Sequence, residues 1–161
     1  MSNLTKADIN WRNIGVKRER THEPLIARLS IGVTSIFRNL KDLMIFAAMI
    51  GHSSDTHRAL TGDTINIILD TYSSDHKDGF IYLLALLKTK DGVCLKDENL
   101  HNSVKYFEEY CNEGLYEITR WLDDNPGDPT GVETMLDHIY KKLGDSTDGN
   151  EIDNKKIELD I

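Results

Sequence analysis

The clearest hydrophobic pattern lies in the second half of the chain, over residues 98–122. Apolar side chains recur there every three or four positions, which places them on one face of a helix about six turns long. They are Leu100, Val104, Phe107, Cys111, Leu115, Ile118 and Leu122. A glycine inside a helix costs about 1 kcal/mol relative to alanine. Gly114 therefore predicts a kink or a close helix crossing in this segment.

Two other segments, residues 39–50 and 78–88, are apolar nearly all round. A helix without a broad polar face belongs at the centre of a protein. We therefore predict two central, buried helices. Gly51 is a natural residue to end the first, and Asp75 is a suitable N-cap for the second.

The remaining pattern is shorter. Residues 23–29 predict a first short helix with Pro24 in its first turn. A β-branched run within residues 64–72 fits a strand or the start of a helix, and periodicity does not separate these at this length; extended chain is the favoured interpretation. A last helix ends at Gly144, and its apolar stripe is Val132, Leu136, Ile139 and Leu143.

Together these elements predict a mainly α fold. It is a single-domain helical bundle of about five helices, with one short strand or hairpin near residues 64–72. The hydrophobic fraction of 39% is sufficient for one core without disulfides or a structural metal.

Charge divides the chain further. The net charge is −8, but residues 1–41 carry eight basic and three acidic residues, a net +5, so the other 120 residues carry −13. We therefore predict three parts: a basic, partly ordered N-terminal arm (residues 1–21), a helical domain (22–144) and an acidic tail expected to be disordered (145–161). A basic arm can contact DNA or an acidic partner.

The candidate nucleic-acid-binding residues are all in this arm: Arg12, Lys17, Arg18 and Arg20. Trp11 lies beside the first of them and could stack on a base. Glu19 interrupts the basic run, which weakens the signal. A solvated arm is the favoured interpretation of these side chains, and DNA contact is the alternative.

No pattern predicts catalysis or a cofactor. The chain lacks GxSxG, HExxH, GxxxxGK[ST] and GxGxxG. His52 and His57 share one loop with Asp55, yet a surface loop is a commoner setting for such residues than a metal site. The adjacent pair Glu108 and Glu109 should point about 100° apart on a helix, which favours a solvated face. We expect no catalytic residue, no metal site and no cofactor.

The start of the chain lacks the apolar stretch of a secretory signal, and no run reaches the length of a membrane-spanning helix. Cys94 and Cys111 form no CxxC pair, so we expect two semi-buried small side chains rather than a disulfide. These features predict a cytoplasmic protein.

Two segments carry a family resemblance. Residues 37–51, FRNLKDLMIFAAMIG, resemble the segment F-x-T-M-K-D-x-F-M-x-A-A-x-x-G of the Dnd system-associated protein 4 family. Residues 107–115, FEEYCNEGL, resemble its segment F-E-E-Y-A-N-G-G-L. The resemblance spans roughly residues 22–122. Leu40 replaces a methionine, Glu113 replaces the first glycine of a pair, and the segment after Leu122 has no counterpart in the resemblance.

The resemblance implies a role beside bacterial DNA phosphorothioation genes. It implies a non-enzymatic accessory subunit of a modification–restriction system in anti-phage defence, which binds larger protein subunits of that system. It carries over no catalytic residue. The alternative is a DNA-binding regulator or sensor that uses the basic arm, although no helix has the pattern of a recognition helix.

Overall fold

The computed structural model describes residues 10–148, with side chains through residue 145. The described part is mainly helical, as predicted, with one small sheet. The helices are α1 (Glu23–Ser30), α2 (Leu40–Ser53), α3 (Asp70–Ser73), α4 (Asp78–Thr89), α5 (Leu100–Asp124) and α6 (Val132–Asp148), and the strands are β1 (Gly15–Glu19) and β2 (Thr64–Ile68). Residues 1–9 of the predicted arm and 149–161 of the predicted tail lie outside the described residues.

Helices α2 and α5 form the centre of the core, and their backbones touch. A Cβ on Gly114 would lie 1.8 Å from the carbonyl oxygen of Ala47, and a Cβ on Gly51 would lie 2.2 Å from that of Tyr110. The predicted close crossing at Gly114 is therefore confirmed. The prediction that Gly51 ends the central helix is wrong, because α2 continues to Ser53 and uses this glycine for the crossing.

The amphipathic stripe of α5 is confirmed in full. All seven of its apolar residues are buried, and Phe107, Leu115 and Ile118 have no exposed surface. The prediction that α2 is central is also confirmed, since Leu43, Met44, Ala47 and Ala48 have none either.

Helix α4 is not a central helix, so that prediction is wrong. Ile81, Leu84 and Ala85 are fully buried, whereas Phe80, Leu83 and Leu87 are 42%, 46% and 47% exposed. The helix packs one face against α5 and leaves the opposite face open. A short apolar run identifies a hydrophobic segment, but it does not give the number of neighbours that cover it.

The extended interpretation of the β-branched run is wrong for Thr71 and Tyr72, which lie in the short helix α3. It is confirmed over Thr64–Ile68, which form β2. This strand pairs antiparallel with β1, with Lys17 opposite Asn66 and Glu19 opposite Thr64. The partner strand comes from the segment that the sequence assigns to the basic arm. The sheet positions β1 beside the polar side of α5.

Helix α6 runs past its expected end. Gly144 keeps an ordinary helical backbone, and the helix continues to Asp148. At the start of α6, the Asp128 carboxylate accepts two backbone hydrogen bonds. Its Oδ2 accepts from the Thr134 N–H at 2.9 Å, and its Oδ1 accepts from the Gly131 N–H at 2.9 Å. In the described part of the chain, no helix is long and apolar enough to cross a membrane.

Candidate functional site

The polar side of α5 binds three other parts of the chain through consecutive turns. Glu108 Oε1 accepts the backbone N–H of Lys17 in β1 at 2.6 Å. Glu109 Oε2 lies 3.3 Å from His57 Nδ1 in the loop after α2. One turn later, Asn112 and Glu113 reach the same loop and the chain before α1. The prediction that Glu108 and Glu109 form a solvated face is therefore wrong, because both side chains contact other parts of the chain.

Asn112 is the centre of a buried polar network and is only 1% exposed. Its Oδ1 lies 2.8 Å from His22 Nε2, which places a proton on that nitrogen. Its amide nitrogen donates to Glu19 Oε1 at 3.3 Å and to the carbonyl of Ala59 at 3.4 Å. Burial lowers the pKa of His22, and this outweighs the opposing effect of its hydrogen bond to Asn112. The network thus holds a neutral imidazole.

Glu19 completes the network at the end of β1, where it is 3% exposed. Burial acts to raise the pKa of this carboxyl, but hydrogen bonds from Thr61, Tyr116 and Asn112 outweigh it and lower the pKa. The Thr61 backbone donates to Oε1 at 2.7 Å, and the Tyr116 hydroxyl donates to Oε2 at 2.9 Å. Glu19 therefore stays ionised and holds the loop before β2 in place.

Arg58 contributes a cation to this region. Its Nε donates to Glu113 Oε2 at 2.7 Å, and its guanidinium carbon lies 4.3 Å from the centre of the Tyr116 ring. Glu113 also accepts from Arg120 Nη2 at 3.2 Å. These contacts fasten the loop between α2 and β2 onto α5, so the polar segment of α5 acts as a structural clamp.

A cleft of about 470 Å³ opens beside this clamp, between β1, the loop and α5. Its apolar lining includes Ile14, Leu60 and Val104. Its polar lining is Lys17, Thr64, His101, Lys105, Glu108 and Glu109. Burial raises the pKa of Glu108 to about 6, although the Lys17 backbone N–H opposes the shift. A carboxyl with a raised pKa in a cleft of this size is a candidate site of ligand binding.

The predicted nucleic-acid-binding residues do not form one surface. Arg18 points inward and is 7% exposed. Its Nη1 lies 2.7 Å from Glu23 Oε1, an ion pair by distance that lacks hydrogen-bond alignment, and its Nε has no hydrogen-bond partner among the described residues. Arg20 is paired with Asp63 at 2.7 Å.

The other two predicted residues differ in their surroundings. Arg12 lies 3.7 Å from Asp70 and 5.3 Å from the centre of the Trp11 ring. Lys17 is exposed on β1 and lines the cleft. Of the four, Lys17 is the residue that the structure places at the candidate site. DNA contact by this group stays a prediction.

The histidine loop is divided between two elements. His52 belongs to α2, and His57 lies beyond it; both pack edge-on against Tyr110, with ring centres 5.4 Å and 5.9 Å away. Within residues 10–148, no group of three or more metal-binding side chains comes together.

A second surface is apolar. The stripe predicted on α6 faces outward, with Val132, Leu136 and Leu143 at 42%, 46% and 59% exposure. The helix instead faces α5 with Met135 and His138, and the His138 ring stacks on Trp121 at 4.2 Å. Beside the stripe is a wholly apolar groove of about 220 Å³, lined by Ile36, Phe37, Phe46, Val132, Met135, Leu136 and Ile139.

The family model for DNA sulphur modification system-associated protein 4 matches residues 15–156. The chain belongs to this family. The match extends well beyond residues 22–122, the span of the sequence resemblance, and takes in β1 and all of α6. No curated protein and no solved structure matches the chain. The family description connects the chain with a DNA sulphur modification system.

The two family segments have structural roles in the described molecule. Lys41 in the first segment pairs with Asp75 at 2.9 Å, and Asp42 pairs with Lys77, so this segment ties the start of α2 to the start of α4. Asp75 is therefore an ion-pair residue rather than the predicted N-cap. The second segment forms the clamp and one side of the cleft.

The sequence did not predict which residues the clamp on α5 contacts. Glu19, His22 and Arg58 contact α5 from positions far away in sequence, and no local spacing predicts those contacts. One signal was present: Asn112 and Glu113 are polar residues directly beside the buried stripe of α5. Buried polar side chains require hydrogen-bond partners, so these two positions indicated a network without identifying its members.

Proposed function

We propose that this chain is a non-enzymatic accessory subunit of a DNA phosphorothioation-linked modification–restriction system that serves anti-phage defence. It binds a larger protein of that system through the apolar face made of the α6 stripe and its groove. The family assignment supports the system. The outward stripe of α6 is the observation that carries the binding role.

The apolar face has the properties of a protein-binding surface. An amphipathic helix normally turns its apolar stripe toward the core, but α6 turns it toward solvent. Phe37 and Phe46 line the groove beside this stripe. In the loop between α1 and α2, Ile31 is 66% exposed and Val33 is fully exposed. Exposed apolar surface such as the α6 stripe and its groove marks interaction sites in soluble proteins.

The polar residues support a non-enzymatic role. Glu19, His22, Asn112 and Glu113 are bonded to one another or to the loop that they hold in place. A general base requires access to a substrate proton, and these buried side chains are enclosed by their own partners. Their contacts explain the fold of the region without a reaction.

The test is co-purification from cells that express the whole operon. The tagged wild-type chain should recover a protein encoded beside it at stoichiometric levels. The Leu136→Glu variant should lose this partner, because a charged side chain at the centre of a buried contact costs at least about 2 kcal/mol, roughly 30-fold in affinity.

Leu83→Glu is the matched control. Leu83 and Leu136 are both 46% exposed on helix surfaces, but Leu83 lies on α4, away from the groove. The control should retain the partner, and both variants should keep the wild-type circular dichroism spectrum. Free monomer from cells with the complete operon would overturn the accessory role, whereas retention by Leu136→Glu would overturn the proposed surface alone.

A further inference from the structure

Strand β1 has one paired edge and one edge that faces away from β2. The Leu69 backbone donates to the Ile14 carbonyl at 2.8 Å, and the Arg20 backbone donates to the Asp63 carbonyl at 2.8 Å. Backbone groups alternate between the two edges of an antiparallel strand. Val16 and Arg18 therefore direct their backbone groups toward β2, while Gly15 and Lys17 direct theirs to the opposite edge.

That opposite edge borders the cleft and is covered by a side chain at one point. Gly15, Lys17 and Glu108 all line the cleft, and the Lys17 N–H donates to Glu108 Oε1 at 2.6 Å. A carboxylate that accepts a strand N–H occupies the position that a carbonyl of a neighbouring strand would take. Natural sheets cover exposed edges in such ways because open edges pair with other chains.

The exposed rim of the cleft is basic. Lys17, His101 and Lys105 are exposed. The carboxylates lie deeper: Glu109 is 17% exposed and is engaged by His57 and Lys105, and Glu108 is bonded to β1. A segment in this cleft would meet cations at its edges and the apolar side chains of Ile14, Leu60 and Val104 at its base.

We propose that the cleft binds an extended, acidic segment of a partner protein, which adds to β1 as a third strand. A carbonyl of the segment takes the Lys17 N–H from Glu108, and its acidic side chains pair with Lys17 and Lys105. This is recognition by strand addition, in which main-chain hydrogen bonds give affinity and side chains give specificity. The site is separate from the apolar face of α6 and does not depend on it.

A nucleic acid fits this cleft less well. The lining of the cleft offers no phenylalanine, tyrosine or tryptophan ring on which bases could stack. The backbone groups of β1 match the spacing of another strand rather than that of a phosphate chain. A peptide is therefore the occupant that the observations favour.

The experiment uses a display library of random eight-residue peptides selected on the full-length protein. The enriched peptides should alternate acidic and apolar residues. In a titration followed by NMR, they should shift the backbone amides of Gly15 and Lys17. A copy of the best peptide that is N-methylated at alternate residues should bind at least tenfold more weakly, because it lacks strand hydrogen bonds. No enrichment, shifts confined to another surface, or equal binding of the N-methylated copy would overturn the proposal.

Three variants sharpen the result. Replacing Lys17 and Lys105 together with alanine removes two exposed ion pairs, so the dissociation constant should rise roughly 3- to 30-fold. Glu108→Ala should bind more tightly, because it opens the strand edge. Lys141→Ala, an exposed lysine on α6, is the control and should bind as the wild type does. The amide spectrum of each variant verifies that it is folded.

Single-stranded DNA of random sequence serves as the competing ligand. If DNA shifts the Lys17 amide and displaces the selected peptides with higher affinity, the cleft is a nucleic-acid site and the peptide proposal is wrong. If the peptides retain the cleft at moderate salt, while DNA binding disappears or maps elsewhere, the proposal stands.

Discussion

Replacement of Gly114 by alanine tests the contact between α2 and α5. The new Cβ would lie 1.8 Å from the Ala47 carbonyl oxygen and 2.5 Å from its carbonyl carbon. Both obstacles are backbone atoms, so no side chain can rotate away. Relief requires the two helices to move apart by more than about 1 Å, which disturbs a close-packed core.

The expected net loss is at least about 2 kcal/mol of unfolding free energy. Overpacking a core costs about 1–3 kcal/mol, occasionally more, and the upper end applies here because whole helices must shift. Alanine regains about 1 kcal/mol through helix propensity. For a chain of this size, the loss lowers the melting temperature by roughly 4–8 °C. Urea denaturation followed by circular dichroism measures the loss directly.

Gly144→Ala provides the matched control in the same protein. Nothing lies within 4 Å of a Cβ at Gly144, and this residue is also inside a helix. The substitution should leave stability unchanged or raise it by up to about 1 kcal/mol. If Gly114→Ala is as stable as the wild type, the backbones of α2 and α5 are not in close contact at this crossing.

Three further predictions use the same denaturation assay. Burial raises the pKa of Glu108 from 4.5 to about 6, so the folded state holds this proton more tightly and loses stability as the pH rises between these values. The unfolding free energy of Glu108→Gln, relative to that of the wild type, should therefore increase by on the order of 1 kcal/mol between those pH values. A difference in unfolding free energy that does not change with pH would contradict the raised pKa. Hydrogen bonds from the Thr134 backbone and neighbouring groups lower the pKa of Asp128 from 3.8 to about 2. The wild type should therefore be more stable than Asp128→Asn, with the full difference present above about pH 4 and lost as the pH falls toward 2. Asn112→Ala leaves His22 and Glu19 short of a partner and should cost about 2–4 kcal/mol; a loss below about 0.5 kcal/mol would show that water replaces the amide.

Local pattern predicted the elements better than their surroundings. The stripe of α5 is buried as predicted, since a 3.6-residue period is a property of the helix itself. The same rule found the stripe of α6 but did not reveal that it faces solvent. The contacts of α6 with α5 include the stacking of the His138 ring on Trp121, which hydrophobic periodicity does not detect.

The candidate site was less predictable than the fold for a related reason. Asn112 meets His22 across 90 positions of sequence and Glu19 across 93. Residue types reveal that such a group needs a partner, but only the tertiary fold supplies it. The sequence identified Lys17 as a basic residue. Its position at a strand edge depends on pairing with β2, which comes after α2 in sequence.

The outward stripe of α6 makes the concentration of the free protein important. Leu136, Tyr140 and Leu143 would be in contact with water whenever no partner covers them. Under the accessory role that we propose, chain made in excess of its partner would associate with itself or with chaperones, because contiguous exposed apolar surface favours association. We therefore expect production of this chain in step with its partner, and co-expression is the condition under which the purified protein should behave best.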